Sequence, residues 1–280
     1  MKVKAYAKIN LCLNVVGKLD NGYHELNMIM APINLFDTID ISFDTATTIH
    51  TNKAYLPNDN RNTIIKVING LRNMYHFEDQ FRIKLTKNIP SQAGLGGGSA
   101  DAAIMIKTLN ALLDLKMSIE DMITFGKTIG ADVPFCLINK PAFVGGIGDK
   151  IEVFKFDCPF YLILVKPKKG VSTKRAFENL DYNELVHPNA QLVRDSMIAC
   201  DYQQIITNLE NDLQKCAFRL VPEIERLKNE LLDFGFDCSL MSGSGSTVFG
   251  ITKDENLVNQ ALLAFQRRYS FVKKVNIIDI

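Results

Sequence analysis

The stretch that decides the fold is Ile89-Pro90-Ser91-Gln92-Ala93-Gly94-Leu95-Gly96-Gly97-Gly98-Ser99-Ala100-Asp101. Before it, residues 81–87 alternate between apolar and polar, which predicts a half-buried strand. After it, apolar residues recur at helical spacing from Ala102 to Leu113. The stretch is therefore expected to be a glycine-rich loop between a strand and the N-terminus of a helix.

Such a loop is suited to holding phosphate. Glycine reaches positive φ at little cost, and the backbone N–H groups of the loop can close around an anion. The helix adds unpaired N–H groups and the positive end of its dipole. The alternative is a flexible or tightly turned connector. The loop is not a Walker loop, because Ser99 and Ala100 follow Gly98, and it is not a dinucleotide fingerprint, because Ser99 takes the last position counted from Gly94.

Length and composition restrict the class of protein. The 280 residues suffice for one large domain or, as we expect, two fused ones. Hydrophobic residues make up 47% and charged residues 22%, as in soluble globular proteins. The net charge of +1 gives no basic excess for nucleic acid. We find no signal peptide and no apolar run that spans a membrane, so we expect a cytoplasmic protein.

The cysteines are scattered and form no CxxC pair. Most of them lie in apolar runs. They are Cys12, Cys136, Cys158, Cys200, Cys216 and Cys238. We expect reduced thiols in the core, with neither a zinc site nor a disulfide framework.

The first predicted strand has one unusual face. Residues 5–16 alternate, and one face is wholly apolar. The opposite face carries Lys8, Asn10 and Asn14. In one interpretation Lys8 and Asn10 point into a cleft, and in the other they belong to an ordinary solvent face.

The remaining elements follow from periodicity and turn signals. The turn Leu19–Gly22 predicts a hairpin with Tyr23 and His24 near its end. The predicted strands are 28–35, one or two within 36–49, 142–147, 150–156, 160–167, 247–251 and 271–280. The predicted helices are 62–75, one after Ser118, a short one containing Phe177, several pieces across 188–234 broken near Asp201 and Pro222, and 254–268. This mixture predicts an α+β protein with a domain boundary near residue 155.

Two further sites allow two interpretations each. Asp132 lies between a predicted helix end and Pro134, among apolar residues. It is either the N-cap of a short helix or a partly desolvated carboxylate that serves a site as a base. The stretch Ser242–Ser246 is either a simple tight turn or a loop whose small residues let its backbone approach the phosphates.

Three motifs, taken in order, resemble the GHMP kinase superfamily, whose members hold ATP phosphates in a glycine-rich loop. They are Ala7-Lys8-Ile9-Asn10-Leu11, the loop Pro90–Ala100, and Met241–Ser246. The segments Gly22–Glu25 and Gly130–Phe135 narrow the resemblance to the branch that phosphorylates the 2-hydroxyl of diphosphocytidyl-methylerythritol in the non-mevalonate isoprenoid pathway. The resemblance covers nearly the whole chain. It implies a two-domain fold, with an N-terminal ribosomal-S5-like domain at 1–155 and a C-terminal ferredoxin-like α/β sandwich at 156–280.

The resemblance also implies roles for individual residues. Asp132 would be the catalytic base, with Lys8 beside it. Tyr23 and Phe177 would stack the cytosine and His24 would read its edge, while Asn10 and Thr173 would also contact the substrate. Mg²⁺ would bridge the phosphates of ATP, with Ser99 as its protein ligand. The implied ATP-binding residues are Asn62 near the adenine, Lys87 near the nucleotide, and Pro90, Ser91, Gln92, Ala93, Gly94, Leu95, Gly96, Gly97, Gly98, Ser99 and Ala100.

One departure and several alternatives remain. Ser246 stands where related enzymes often have proline. We expect a small-molecule substrate, no nucleic-acid or membrane partner, and a monomer or weak homodimer. The alternatives are a kinase for mevalonate, phosphomevalonate or homoserine, a non-catalytic ligand-binding relative, and an RNA-binding protein built on the S5-like half. The presence of Lys8 and Asp132 argues against the non-catalytic relative, and the balanced charge argues against RNA binding.

Overall fold

The computed structural model of the chain describes residues 1–20 and 22–279. Its strands are β1 (Lys2–Lys18), β2 (His24–Asp44), β3 (Thr48–Thr51), β4 (Gln80–Thr86), β5 (Ala142–Gly146), β6 (Lys150–Val153), β7 (Tyr161–Lys166), β8 (Cys238–Met241), β9 (Val248–Thr252) and β10 (Phe271–Val275). Its α-helices are α1 (Thr63–Tyr75), α2 (Gly97–Leu112), α3 (Ile119–Ile129), α4 (Val133–Ile138), α5 (Thr173–Glu178), α6 (Ala190–Ile198), α7 (Tyr202–Asn208), α8 (Gln214–Leu220), α9 (Glu223–Phe234) and α10 (Glu255–Gln266). A 3₁₀ turn spans Tyr182–Glu184.

The chain divides into two compact units that are interleaved along the sequence. The first unit contains residues 1–7, 35–89 and 96–139, and the second contains 8–34, 90–95 and 140 onward. The predicted division into residues 1–155 and 156–280 stays a prediction.

The first unit combines a sheet with a group of helices. The later part of β2 pairs antiparallel with β4, with Ile41 opposite Ile83, and β3 pairs parallel with β4. Helices α1 to α4 pack on one another. Their buried faces follow the helical period, because every third or fourth residue returns to the same side, as Ile64, Val67, Ile68 and Leu71 do in α1. This packing holds the N-terminus of α2, where the glycine loop ends.

The second unit contains an antiparallel sheet in the order β10-β7-β9-β8. Strand β7 is buried almost throughout and lies between β10 and β9. Helices α9 and α10 pack on this sheet. The early part of β2 pairs with β5, with Met28 opposite Val144, and β5 pairs with β6. Strand β8 leads directly into the small-residue loop at Ser242, which is how the sheet positions that loop.

Most predicted elements are present, and their caps explain where they begin. Asn62 accepts a hydrogen bond from the N–H of Ile64 at the start of α1. Ser118 and Asp121 form a reciprocal capping box at the start of α3. Asp201 caps α7, and Pro222 takes the N-cap position of α9. These predicted helix starts are confirmed. Each depends on residues within the first turn of its own helix, so the local sequence is enough to predict it.

Several predicted boundaries are wrong. The strands expected at 28–35 and 36–49 are one strand up to Asp44, followed by β3. Strand β6 ends at Val153 and β10 at Val275, not at Phe156 and Ile280, and Ile280 lies outside the described residues. The turn expected at Leu19–Gly22 includes Asn21, which also lies outside them, while the N–H of Gly22 donates to the carbonyl of Leu19.

The cysteine prediction needs a correction. Cys158 and Cys200 are joined by a disulfide across 42 residues of sequence. The expectation of six reduced thiols is therefore wrong for this pair, while the remaining cysteines are buried as expected. Among the helices of the described residues, none is both long and apolar enough to cross a membrane.

Candidate active site

The glycine loop ends at an uncapped helix N-terminus. Gly96 has a left-handed backbone with φ of 66°, and no side chain caps α2 in the part of the chain described. The first N–H groups of the helix, at Gly97, Gly98 and Ser99, therefore face outward without intrahelical acceptors. The geometry is that of an anion site. The hydroxyl of Thr63 donates to the carbonyl of Gly98 at 2.9 Å, which ties the start of α1 to this helix end.

The earlier part of the loop packs closely on the second small-residue loop. Gly94 has φ of +73°, and a Cβ on it would lie 1.9 Å from the carbonyl oxygen of Ser242. The hydroxyl of Ser242 donates to the carbonyl of Gly94 at 3.0 Å. The N–H groups of Ser246 and Thr247 donate to the carbonyls of Gln92 and Ala93. The stretch Ser242–Ser246 is therefore a turn, closed by the N–H of Gly245 on the carbonyl of Ser242, that supports the glycine loop, and its approach to the phosphates stays a prediction.

Strand β1 carries a buried polar pair. Lys8 is 4% exposed and Asn10 is 1% exposed, so the solvent-face interpretation is excluded for these two residues. The ammonium group of Lys8 donates to Oδ1 of Asn10 at 2.6 Å. The N–H of Asn10 donates to the hydroxyl of Ser242, and the N–H of Lys8 to the carbonyl of Leu95. Both residues are thus positioned by the glycine loop, through Leu95, and by the loop that begins at Ser242.

An aromatic pair forms in the second unit. The rings of His24 and Phe177 stack with centroids 4.6 Å apart and planes 30° from parallel. Tyr23, next in sequence, is 59% exposed. Burial, with a smaller contribution from Lys18, lowers the pKa of His24. Its imidazole is therefore neutral near pH 7 and has one donor and one acceptor nitrogen.

Helix α5 connects this pair to the small-residue loop. Thr173 begins the helix, and its hydroxyl lies 2.8 Å from the hydroxyl of Ser244. Phe177 lies one turn further along the same helix. His24, Phe177 and Thr173 therefore belong, with the loop that supports Gly94, to one connected network in the second unit.

Asp132 occupies the N-cap position of α4 but does not act as a cap. Its backbone is αR, and the carboxylate makes no capping hydrogen bond in the structure as described. Pro134, in the first turn, has no N–H that would need one. The side chain is partly exposed. The side chain therefore does not cap the helix, and its role as a base stays a prediction.

Lys87 lies in a buried charged cluster of the first unit. Its ammonium group pairs with Asp37 and with Asp101, the latter at 2.6 Å. Burial lowers the pKa of Lys87, but the two carboxylates outweigh it and the net pKa is raised. Burial also raises the pKa of Asp101 to about 7, because Lys87 offsets the desolvation only in part. A Cβ on Gly97 would lie 3.1 Å from the Lys87 ammonium nitrogen, so the cluster lies beneath the start of α2.

A cavity of about 480 Å³ lies beside the start of α1. Tyr55, Leu56 and Pro57 are among the residues that line it. Nδ2 of Asn62 donates to the carbonyl of Pro57 at 2.9 Å, and Oδ1 caps α1. Asn62 therefore holds the segment that carries Pro57, and the cavity lining is mainly polar, with Lys53, Asn58 and Arg61 beside the ring of Tyr55.

Mg²⁺ fits this site only as an ion held mainly by phosphate. Among the described residues, no group of three or more His, Cys, Asp or Glu side chains is arranged around a metal. The hydroxyl of Ser99 lies at the uncapped start of α2. One protein oxygen with phosphate oxygens and waters is a common Mg²⁺ environment in phosphoryl-transfer enzymes.

Sequence reasoning missed several residues that hold the site together. Asn211 donates from Nδ2 to the carbonyls of Met241 and Gly243, both at 2.8 Å. Asp37 and Asp101 hold Lys87. Asp101 follows the glycine loop directly and was visible as a charge in an apolar helix, whereas nothing in the sequence around Asn211 indicated its partners.

Comparison with known proteins identifies the family. The GHMP kinases N terminal domain matches residues 62–140, and the GHMP kinases C terminal domain matches residues 196–270. The 4-diphosphocytidyl-2-C-methyl-D-erythritol kinases of Clostridium kluyveri and Clostridium beijerinckii are 38% and 40% identical to this chain, in each case over 91% of both chains.

Solved structures confirm the α+β two-domain fold. A crystal structure of 4-(cytidine 5′-diphospho)-2C-methyl-D-erythritol kinase superposes with a TM-score of 0.83 at 27% identity, covering 98% of both chains. Homoserine kinase from Cytophaga hutchinsonii superposes with a TM-score of 0.75 at 19% identity, covering 99% of this chain and 95% of its own, and shares the fold alone.

Proposed function

This chain belongs to the 4-diphosphocytidyl-2-C-methyl-D-erythritol kinase family of the GHMP kinases, and on that premise we propose that it transfers the γ-phosphoryl group of ATP to the 2-hydroxyl of 4-diphosphocytidyl-2-C-methyl-D-erythritol. The observation that carries this proposal is the network in the second unit. It joins the aromatic pair of His24 and Phe177, through Thr173 and Ser244, to the loop that supports Gly94.

The glycine loop binds the ATP phosphates in this proposal. Residues Pro90–Ala100 supply backbone N–H groups, and the start of α2 adds its dipole. The hydroxyl of Ser99 would hold Mg²⁺, which would neutralise phosphate charge. The cavity beside Asn62 receives the adenine. Lys87 has an indirect role. Asp37 and Asp101 hold its ammonium group beneath the start of α2, where it supports the end of the glycine loop.

Asp132 and Lys8 have the catalytic roles. Asp132 orients the attacking hydroxyl and accepts its proton. Lys8 supplies a buried, oriented positive charge that favours the negative charge of the phosphoryl group in the transition state. Asn10 orients the Lys8 ammonium group through their 2.6 Å hydrogen bond. Phosphoryl transfer depends mainly on positioning and charge neutralisation, so these few groups suffice.

The remaining residues bind the cytidine. Tyr23 and Phe177 stack on the pyrimidine, His24 hydrogen-bonds its edge, and Thr173 contacts the substrate from the start of α5. Binding energy from this remote base holds the hydroxyl in line with the γ-phosphate. A kinase for a substrate without a base gains nothing from such an aromatic pair, which favours the cytidine compound over mevalonate or homoserine.

The test is phosphorylation of a substrate panel, followed by mass spectrometry. The panel contains 4-diphosphocytidyl-2-C-methyl-D-erythritol, mevalonate, phosphomevalonate and homoserine, each with Mg-ATP. We expect transfer only to the cytidine compound. Transfer to another member of the panel instead would refute the substrate assignment but not the kinase activity. ATP binding without transfer to any member would refute the proposed kinase activity.

A further inference from the structure

The 3₁₀ turn Tyr182–Glu184 has no part in the mechanism above, yet its first residue contacts His24. Oη of Tyr182 lies 2.8 Å from Nε2 of His24. The two rings are 15° from parallel, and their centroids are 6.3 Å apart. So long a centroid separation with so short a contact means that the hydroxyl approaches the edge of the imidazole, where the nitrogen lone pair or N–H points.

The turn that carries Tyr182 is anchored on both sides. Oδ1 of Asp181 accepts a hydrogen bond from the N–H of Asn183 at 3.0 Å. Glu184 pairs with Arg219, and Arg219 also donates to the carbonyl of Asn179. The main chain is therefore held before and after Tyr182, and the position of its hydroxyl relative to His24 is built into the fold.

Two parts of the His24 ring are already engaged by neighbouring side chains. Phe177 stacks on the ring, and Tyr182 occupies Nε2. The edge that carries Nδ1 is the remaining polar edge of the imidazole. The pyrimidine edge would therefore meet Nδ1, and the question is whether this nitrogen donates or accepts.

The hydrogen bond between Tyr182 and Nε2 determines whether Nδ1 donates or accepts. A phenol is a better hydrogen-bond donor than a neutral imidazole, and imidazole nitrogen is a better acceptor than phenol oxygen. The hydroxyl therefore donates to Nε2, and the single ring proton resides on Nδ1. An N–H at Nδ1 donates to N3 of cytosine, which is an acceptor, whereas O2 accepts in both cytosine and uracil and does not distinguish them. Uracil has an N–H at N3, and two donors would face each other.

We propose that Tyr182 is a positioning residue that makes this site select cytosine over uracil by holding the proton of His24 on Nδ1. This inference rests on the proposed function and names the residue that sets its base specificity. The side chain of Tyr182 is 44% exposed, so water competes for its hydrogen bond and the effect is moderate.

The first measurement is the ring ¹⁵N spectrum of His24, recorded without substrate at a pH well above the His24 pKa. The His24→Gln variant assigns its signals among those of the four histidines. We expect a protonated Nδ1 and an unprotonated Nε2 in the wild type. In Tyr182→Phe, which keeps the aromatic ring, we expect a shift towards the Nε2–H form that free histidine prefers. The same ring spectrum in both proteins would overturn the proposal.

The second measurement compares kcat/KM for the cytidine substrate and its uridine analogue. We expect Tyr182→Phe to lower the preference for cytidine about three- to tenfold, mainly through KM. Tyr75→Phe is the matched control, since it removes a hydroxyl from the end of α1, and its base preference should equal that of the wild type. An unchanged preference in Tyr182→Phe would contradict the proposal. A wild-type protein that phosphorylates neither compound would refute the proposed function, and the ring spectrum would still test the tautomer.

Discussion

The ammonium group of Lys8 donates a hydrogen bond to Oδ1 of Asn10, 2.6 Å away, in the interior of the protein. Burial makes this charge costly to keep and effective once it is oriented. Lys8→Met removes the charge and keeps the chain length. We expect kcat to fall by about 100-fold or more, as for other oriented charges in active sites. Stability should fall by about 1–3 kcal/mol, because Oδ1 of Asn10 loses its donor.

Steady-state kinetics and urea unfolding measure the two effects. Lys2→Met, at the exposed start of β1, is the control and should change neither. Turnover of Lys8→Met within threefold of the wild type would rule out the catalytic role of the charge.

Asp132→Asn should separate turnover from ATP binding. A neutral amide cannot accept the proton of the hydroxyl, and we expect most turnover to be lost while ATP binding persists. Isothermal titration with an ATP analogue and single-turnover kinetics check the two halves of this prediction. Comparable turnover in the variant would exclude Asp132 as the base.

Gly94→Ala should disrupt the contact between the two small-residue loops. The added Cβ would lie 1.9 Å from the carbonyl of Ser242, at a residue with positive φ. We expect a loss of about 3 kcal/mol or more in stability and a raised KM for ATP. Gly17→Ala is the control, since nothing lies within 4 Å of its Cβ. Equal unfolding midpoints for the two variants would show that the loops separate without cost.

Asn211→Asp tests the support of the same loop from the other side. The carboxylate cannot donate to Met241 and Gly243, and it places a charge where the side chain is 3% exposed. We expect a cost of about 2–4 kcal/mol from two buried carbonyls without donors. Asn208→Asp, whose amide bonds to Gln204 at the surface, should change stability by less than about 0.5 kcal/mol. Urea unfolding measures the stability of both variants. Similar losses of stability in the two would contradict the claim that the buried amide of Asn211 supports the loop.

The cluster of Lys87, Asp37 and Asp101 makes a prediction about pH. The pKa of Asp101 is raised from 3.8 to about 7, chiefly by burial. Between these values the folded protein binds more protons at Asp101 than the unfolded chain does. The contribution of Asp101 to stability is therefore fully present below pH 3.8 and is lost as the pH rises through about 7.

Asp101→Asn imitates the protonated acid and should flatten this dependence. The slope that Asp101 contributes is at most about 1.4 kcal/mol per pH unit, and the variant should lack it. Urea unfolding between pH 4.5 and 8, approximate limits set by where this carboxyl titrates, measures both proteins. Parallel profiles for the variant and the wild type would show that Asp101 titrates normally.

Local signals in the sequence predicted local structure well. The glycine loop before α2, the cap at Asn62 and the capping box of Ser118 and Asp121 depend on hydrogen bonds within a few residues. The length of β2 was predicted wrongly, because its continuity is set by its partners. Strand β5 pairs with its early part and β4 with its later part, and neither partner is visible in the alternation of β2 itself.

The sequence by itself determined which functional groups this protein has. They provided a glycine loop for phosphate, a lysine and an asparagine on one strand face, and a carboxylate before a proline. Only the tertiary structure decided which distant groups meet. It pairs His24 with Phe177 and Tyr182, Asn211 with Gly243, and Cys158 with Cys200. The physical reason is that local patterns record the period and the caps of each element, whereas contacts between distant residues arise from packing, which no short stretch of sequence contains.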